Sequence, residues 1–100
     1  MNKCTLLTEI LEISNLYNLK YTEIMEQPYY SFIVWNTKKY YADIEINYTN
    51  YTDYKPVTLD LCFSIDRINL KMYTYHLDDP VVIASFKSTL NKLFKSIGQI

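Results

Sequence analysis

The segment from Tyr40 to Tyr48, YYADIEINY, decides how the rest of the chain can fold. Along it, apolar or aromatic residues alternate with mostly polar ones. The first set is Tyr40, Ala42, Ile44, Ile46 and Tyr48, and the second is Tyr41, Asp43, Glu45 and Asn47. A period of two is typical of a β-strand with one covered side. We therefore expect a strand whose apolar side is buried and whose acidic side contacts water.

Two further segments share this pattern, and a third is predicted to be a strand from its composition. Residues Val57 to Ile65 alternate in the same way, and Tyr29 to Trp35 (YYSFIVW) is aromatic and β-branched. After a tight turn expected at Asp66-Arg67, a fourth strand is predicted with one apolar and one polar side. Its apolar side comprises Ile68, Leu70 and Met72, and its polar side comprises Asn69, Lys71 and Tyr73. The short connections predict an antiparallel meander of four strands.

A helix is expected at each end of this sheet. Apolar residues recur with helical spacing from Lys3 to Tyr17, and Asn15 or Asn18 is suited to end that helix. The second helix begins at Asp79-Pro80, a capping residue followed by proline, and Gly98 is expected to close it in the left-handed conformation. The prediction is an α+β fold of order α-β-β-β-β-α, one domain over residues 1–100, with both helices on the apolar side of the sheet.

The composition is that of a globular protein with little overall charge. Hydrophobic residues make up 49% of 100 residues, and ten basic residues stand against eleven acidic ones. No segment has the apolar length of a membrane-spanning helix or the form of a secretory signal, so we expect no membrane partner, a cytoplasmic location and reduced cysteines. The abundance of lysine, asparagine, isoleucine and tyrosine indicates AT-rich codons, as in a low-GC bacterium, a phage or a mobile element.

Residues that would support catalysis are sparse. One glycine excludes the glycine-rich loops that hold phosphates, and Cys4 and Cys62 lack the spacing of a zinc site. His76 could act with Asp78 in a small hydrolase or a metal enzyme, but it also fits a strand end beside a helix cap. We therefore predict a non-enzymatic protein with no catalytic residue, metal ligand or cofactor.

Tyrosine and carboxylate side chains point to a surface that binds a partner. The predicted binding residues are Tyr41, Asp43, Glu45, Asp60, Lys71 and Tyr73 on the open side of the sheet, with Tyr51 and Tyr54 in an exposed loop over Thr49 to Pro56. Tyrosine is enriched at protein interfaces and can also stack on nucleobases. Phosphates would be repelled by three carboxylates, so a larger protein partner is favoured over nucleic acid.

The leading hypothesis is a protein-binding module that covers a functional surface on a larger partner. With the codon bias, this suggests a phage or mobile-element accessory protein that inhibits a host or defence protein. The alternative is a single-stranded nucleic-acid-binding protein that uses the tyrosines of the open sheet face. The protein itself could be a monomer or a homodimer, because an exposed sheet edge can support self-association.

Overall fold

The computed structural model describes residues 5–49 and 55–98. They form an α+β fold with a five-stranded antiparallel sheet in the order β1-β2-β3-β4-β5. The elements are α1 (Thr5–Leu16), β1 (Glu23–Glu26), β2 (Tyr30–Asn36), β3 (Tyr41–Tyr48), β4 (Pro56–Ser64), β5 (Lys71–His76) and α2 (Pro80–Gly98). The α+β class, the antiparallel meander and both terminal helices are confirmed.

The prediction of four strands is wrong because β1 was missed. This strand has four residues, EIME, and neither its length nor its pattern distinguishes it from a loop. Its antiparallel pairing with β2, Glu23 beside Val34 and Glu26 beside Ser31, makes it a strand. The pairing continues past its start, where the Thr22 N–H donates to the Val34 carbonyl over 2.7 Å.

The core lies between one side of the sheet and the two helices. Trp35 on β2 is fully buried, and its ring meets Phe94 of α2 edge-on with centroids 4.9 Å apart. Its Nε1 donates to the Ser14 hydroxyl of α1 over 2.9 Å, and that hydroxyl donates to the Leu19 carbonyl. Buried polar groups cost stability when unpaired, so this chain of hydrogen bonds lets the indole lie inside the core.

The ends of the helices follow the expected chemistry, with one exception. Asn18 ends α1 with a φ of 57°, and the Asp79 carboxylate accepts the Val81 N–H over 2.9 Å at the start of α2. The prediction of a left-handed Gly98 is wrong, because no glycine has a positive φ. A Cβ at Gly98 would lie 3.2 Å from the Tyr17 carbonyl oxygen, so the residue instead allows the end of α2 to approach α1 closely.

The connection between β4 and β5 is longer than the tight turn expected from the sequence. The Asp66 carboxylate accepts the backbone N–H groups of Ile68 and Asn69 over 3.0 and 2.9 Å, and these bonds hold its pKa far below the usual range. Arg67 has a φ of 63°. Residues 65–70 are therefore a turn, and the predicted strand residues Ile68 and Leu70 lie in it, exposed to solvent.

No helix in the described part of the chain combines the length and apolar character needed to cross a membrane.

Candidate functional site: the open face of the sheet

The side of the sheet away from the helices is called the open face. Cross-strand partners in an antiparallel sheet point to the same side, so the register identifies its residues. They are Glu23 and Met25 of β1, Tyr30, Phe32, Val34 and Asn36 of β2, Tyr41, Asp43, Glu45 and Asn47 of β3, Thr58, Asp60, Cys62 and Ser64 of β4, and Met72, Thr74 and His76 of β5. Four of these are carboxylates, and none is lysine or arginine.

The carboxylates of the open face lie close to one another. Glu45 and Asp60 are directly opposite on β3 and β4, and Asp43 pairs with Cys62 one step along. Asp60 accepts a hydrogen bond from the Thr74 hydroxyl over 2.7 Å. Among the described residues, no ion pair reaches any of these groups. Like charges directly across two strands destabilise a sheet, so this arrangement does not serve the fold.

Asp43 and Tyr41 form a hydrogen-bonded pair on β3. The Tyr41 hydroxyl donates to Oδ2 of Asp43 over 2.5 Å. Burial raises the pKa of Tyr41, and its bond to Asp43 and the negative charge there raise it further. Burial also raises the pKa of the Asp43 carboxyl, with a contribution from Asp60, while the bond from Tyr41 opposes that rise. The hydrogen bond from the Tyr41 phenol therefore holds the partly buried Asp43 carboxylate in one position.

A shallow apolar groove lies beside the carboxylates. Phe32, Cys62 and Met72 contribute its apolar wall, and Asp43, Glu45 and Asp60 contribute its polar wall, around a volume of about 240 Å³. Met72 is 71% exposed. Burial raises the pKa of the Cys62 thiol, and nearby Asp43 adds to the shift. The groove combines a negative wall with an apolar one, which suits the head and the aliphatic stem of a lysine or arginine.

The structure brings together half of the predicted binding residues. Tyr41, Asp43, Glu45 and Asp60 share the open face as expected. Tyr51 and Tyr54 lie outside the described residues.

The predicted positions of Lys71 and Tyr73 are wrong. Lys71 pairs with Phe63, and Tyr73 pairs with Leu61, so both lie on the helix-covered side. The Tyr73 ring stacks on Phe63 with centroids 6.0 Å apart. Residues 65–70 form a wider turn than expected, so the side chains of β5 that were predicted on the open face lie on the helix-covered side instead. Met72, which was predicted to be buried, is exposed.

The open face also includes Glu23, Phe32, Met72 and Thr74, which were not among the predicted binding residues. Glu23 lies on the unrecognised β1, and Met72 and Thr74 were missed with the register of β5. The sequence does not single out Phe32, because apolar or aromatic residues occupy both alternating sets of Tyr29–Trp35; its position follows from the burial of Ser31, Ile33 and Trp35 on the other side.

The residues proposed for an enzyme alternative lie at the opposite end of β5 from the turn. His76 and Asp78 line a cleft of about 240 Å³ together with Thr49, Lys55 and Val57. In residues 5–49 and 55–98, no three histidine, cysteine, aspartate or glutamate side chains converge as metal ligands.

Neutralising Asp43 is expected to stabilise the protein at neutral pH. A carboxyl whose pKa is raised by folding favours the fold while protonated, and this contribution is lost as the pH rises through the raised pKa. Asp43→Asn avoids that loss. Asp43 is partly exposed, so we expect a modest rise in Tm, about 2–4 °C, where 1 kcal/mol corresponds to about 4–8 °C.

Thermal unfolding of Asp43→Asn and wild type across the acid range checks this expectation. The difference should shrink toward the pH at which the wild-type carboxyl is protonated. Glu12→Gln on the exposed side of α1 is the control and should show no comparable gain. An Asp43→Asn protein that is less stable than wild type at neutral pH would show that the bond from Tyr41 outweighs burial and repulsion.

Comparison of this chain with protein-family models, with curated proteins and with solved structures finds no match.

Proposed function

We propose that this protein is a non-enzymatic binding module whose open face binds a basic segment of a larger protein. The observation that carries the proposal is the group of carboxylates on β1, β3 and β4, with no lysine or arginine on that face of the described strands. A partner that supplies positive charge turns the repulsion between Glu45 and Asp60 into attraction, so binding recovers free energy that folding costs.

The dimensions of the open face favour a segment over a broad surface. Neighbouring strands lie about 4.8 Å apart and residues about 3.3 Å along each strand, so the face measures about 20 by 20 Å. That is about 400 Å², half of the roughly 800 Å² that each partner contributes to a standard interface. A short helix or loop bearing lysine and arginine fits this area, with its aliphatic stems against Phe32 and Met72.

Nucleic acid is less compatible with this face than a basic protein. A strand binder neutralises phosphates with lysine or arginine, and the open face has four carboxylates instead. Lys71 and Tyr73, which that alternative needs, lie on the helix-covered side. The Tyr41 hydroxyl is held by Asp43.

The residue composition supports a more specific form of the proposal. Lysine accounts for nine of the ten basic residues, and Arg67 is the single arginine. A cytoplasmic accessory protein of a phage or mobile element, acting by covering a basic functional surface of a host or defence protein, is consistent with this composition and with the acidic face.

Reversing the three central charges tests the proposal. Asp43→Lys/Glu45→Lys/Asp60→Lys should remain folded, because these residues are partly exposed, and should lose at least about tenfold in affinity for an arginine-rich decapeptide. The matched control is Glu12→Lys/Glu26→Lys/Asp78→Lys, which makes the same change in net charge at exposed positions outside the face. Fluorescence anisotropy at low and moderate salt measures both, with circular dichroism as the check on folding.

Three outcomes decide the matter. The proposal requires that wild type and the control bind the peptide alike and that the open-face variant does not. An equal loss of affinity in both variants would show that the peptide responds to net charge and not to the open face. Binding of a labelled single-stranded oligonucleotide in preference to the peptide, weakened steeply by salt, would establish the nucleic-acid alternative instead.

A further inference from the structure

The two edges of the sheet differ in how they are protected. Unpaired edge strands bind other strands unless they are short, charged or interrupted. The β1 edge has four residues and carries Glu23 and Glu26. The β5 edge has six residues, KMYTYH, with Lys71 at its first position as its one lysine, no acidic residue and no proline. No other strand of the described chain pairs with its outer side.

Exposed apolar side chains lie at both ends of the β5 edge. At its start, Ile68 and Leu70 are 83% and 56% exposed, and Met72 on the strand is 71% exposed. Just beyond its end, Val81 at the start of α2 is 74% exposed. An antiparallel copy of the same strand would place the start of one strand, which follows Ile68 and Leu70, beside the end of the other, which precedes Val81.

The backbone groups that point outward from β5 can be identified. The Leu77 N–H donates to the Val57 carbonyl over 2.8 Å. Hydrogen-bonded pairs recur at every second residue of an antiparallel ladder, so Tyr75 and Tyr73 also point their N–H and C=O groups at β4. The N–H and C=O groups of Met72, Thr74 and His76 therefore point away from the sheet.

We infer that the protein forms a two-fold symmetric homodimer in which β5 pairs antiparallel with β5 of a second copy, centred on Thr74. In this register Thr74 lies opposite Thr74 of the second copy, and Met72 lies opposite His76. The outward-pointing backbone groups of Met72, Thr74 and His76 in one copy then pair with those of His76, Thr74 and Met72 in the other. Each pair of residues exchanges two N–H to C=O hydrogen bonds. The inference does not depend on the proposed function.

The side chains fit this register. On the helix-covered side, Tyr73 lies opposite Tyr75 of the second copy, and Lys71 lies opposite Leu77, so no like charges face each other. A copy-to-copy contact at β1 would instead bring glutamates together. The two-fold axis is perpendicular to the sheet, which makes one continuous sheet and places both open faces on the same side.

The affinity is expected to be modest. Pairing one strand of six residues buries less than the roughly 1,200 Å² typical of a stable interface. We therefore expect a dissociation constant on the order of micromolar to millimolar, and a mass that depends on concentration over that range. Sedimentation equilibrium should show a monomer that converts to a dimer. A monomer throughout this range overturns the inference.

Two substitutions of one residue test the interface. Thr74→Pro removes an N–H that points to solvent in the monomer and is needed by the dimer. Thr74→Val keeps that N–H, and both variants lose the hydrogen bond from the Thr74 hydroxyl to Asp60. We expect the proline variant to stay monomeric and the valine variant to dimerise as wild type does. Dimerisation of both variants, or of neither, contradicts a backbone interface at Thr74.

Amide hydrogen exchange of the wild-type protein tests the same register without a mutation. The N–H groups of Met72, Thr74 and His76 should exchange more slowly as concentration rises, because dimerisation pairs them. Those of Tyr73 and Tyr75, already bonded to β4, should change much less. If the amides of Glu23 to Glu26 instead exchange more slowly as concentration rises, the interface lies at β1 and the inference is overturned. This result does not depend on whether the proline variant folds.

Discussion

Replacing Trp35 with alanine is expected to remove a large part of the free energy of unfolding of the protein. The indole is fully buried, contacts Phe94 of α2 and donates to Ser14 of α1, so it joins β2 to both helices. Truncating a buried tryptophan costs about 3–5 kcal/mol. Domains of this size have a total stability of about 5–15 kcal/mol, so the loss removes a large part of it.

Trp35→Phe separates the packing of the ring from its hydrogen bond. Phenylalanine keeps an aromatic ring near Phe94 but cannot donate to Ser14, whose hydroxyl still donates to the Leu19 carbonyl. A net loss of about 1–2 kcal/mol is expected for the missing bond and the smaller ring.

Urea denaturation followed by circular dichroism gives the free energy of unfolding of both Trp35 variants, since the chain has one tryptophan and the variants lack its fluorescence. If Trp35→Ala unfolded at a urea concentration close to that of wild type, the helices would not depend on this residue. The wild-type protein and Trp35→Phe should both give cooperative transitions.

The layers of the fold could be predicted because they rest on periodicity. Residues 40–48 and 57–65 alternate with a period of two, and the apolar residues of the terminal segments have helical spacing. Both patterns reflect burial on one side, and Ile44 and Leu59 are buried where the patterns place them. The same alternation placed Asp43, Glu45 and Asp60 together on the open face.

The position of β5 could not be predicted from periodicity alone. In the segment INLKMYTY, apolar and aromatic residues occupy both parities, so either set can face the core. The Asp66 turn decides between them, because its carboxylate holds the N–H groups of Ile68 and Asn69 in a longer connection. A shift of one residue moves every side chain of the strand to the other side of the sheet. Met72 therefore lies on the open face, and Lys71 and Tyr73 lie on the helix-covered side.

The first strand escaped recognition for a different physical reason. Its four residues include two glutamates and bury no side chain fully, so burial leaves no pattern in the sequence. The backbone of β2 determines this strand, through pairs such as Ile24 with Ile33. The position of Glu23 on the open face therefore follows from its pairing with Val34 and not from the sequence pattern.

The largest contrast between adjacent residues is expected at positions 60 and 61 of β4. Leu61 is fully buried, and its cross-strand partners Ile44 and Tyr73 are on the helix-covered side. Leu61→Lys places an unpaired charge in that core at a cost of at least about 4 kcal/mol, enough to prevent folding of a small domain. Asp60→Lys puts the same side chain on the open face.

Asp60→Lys should fold with nearly wild-type stability. It loses the hydrogen bond from Thr74, worth about 1 kcal/mol, and replaces the repulsion of Glu45 with an attraction of similar size. Urea denaturation of the two variants under the same conditions measures the contrast. Equal stability would show that β4 does not separate a covered side from an open one. If Leu61→Lys unfolds and Asp60→Lys does not, the acidic residue at position 60 can be changed without disturbing the core. A surface that binds a partner needs this independence, because its side chains must be set by the partner and not by the fold.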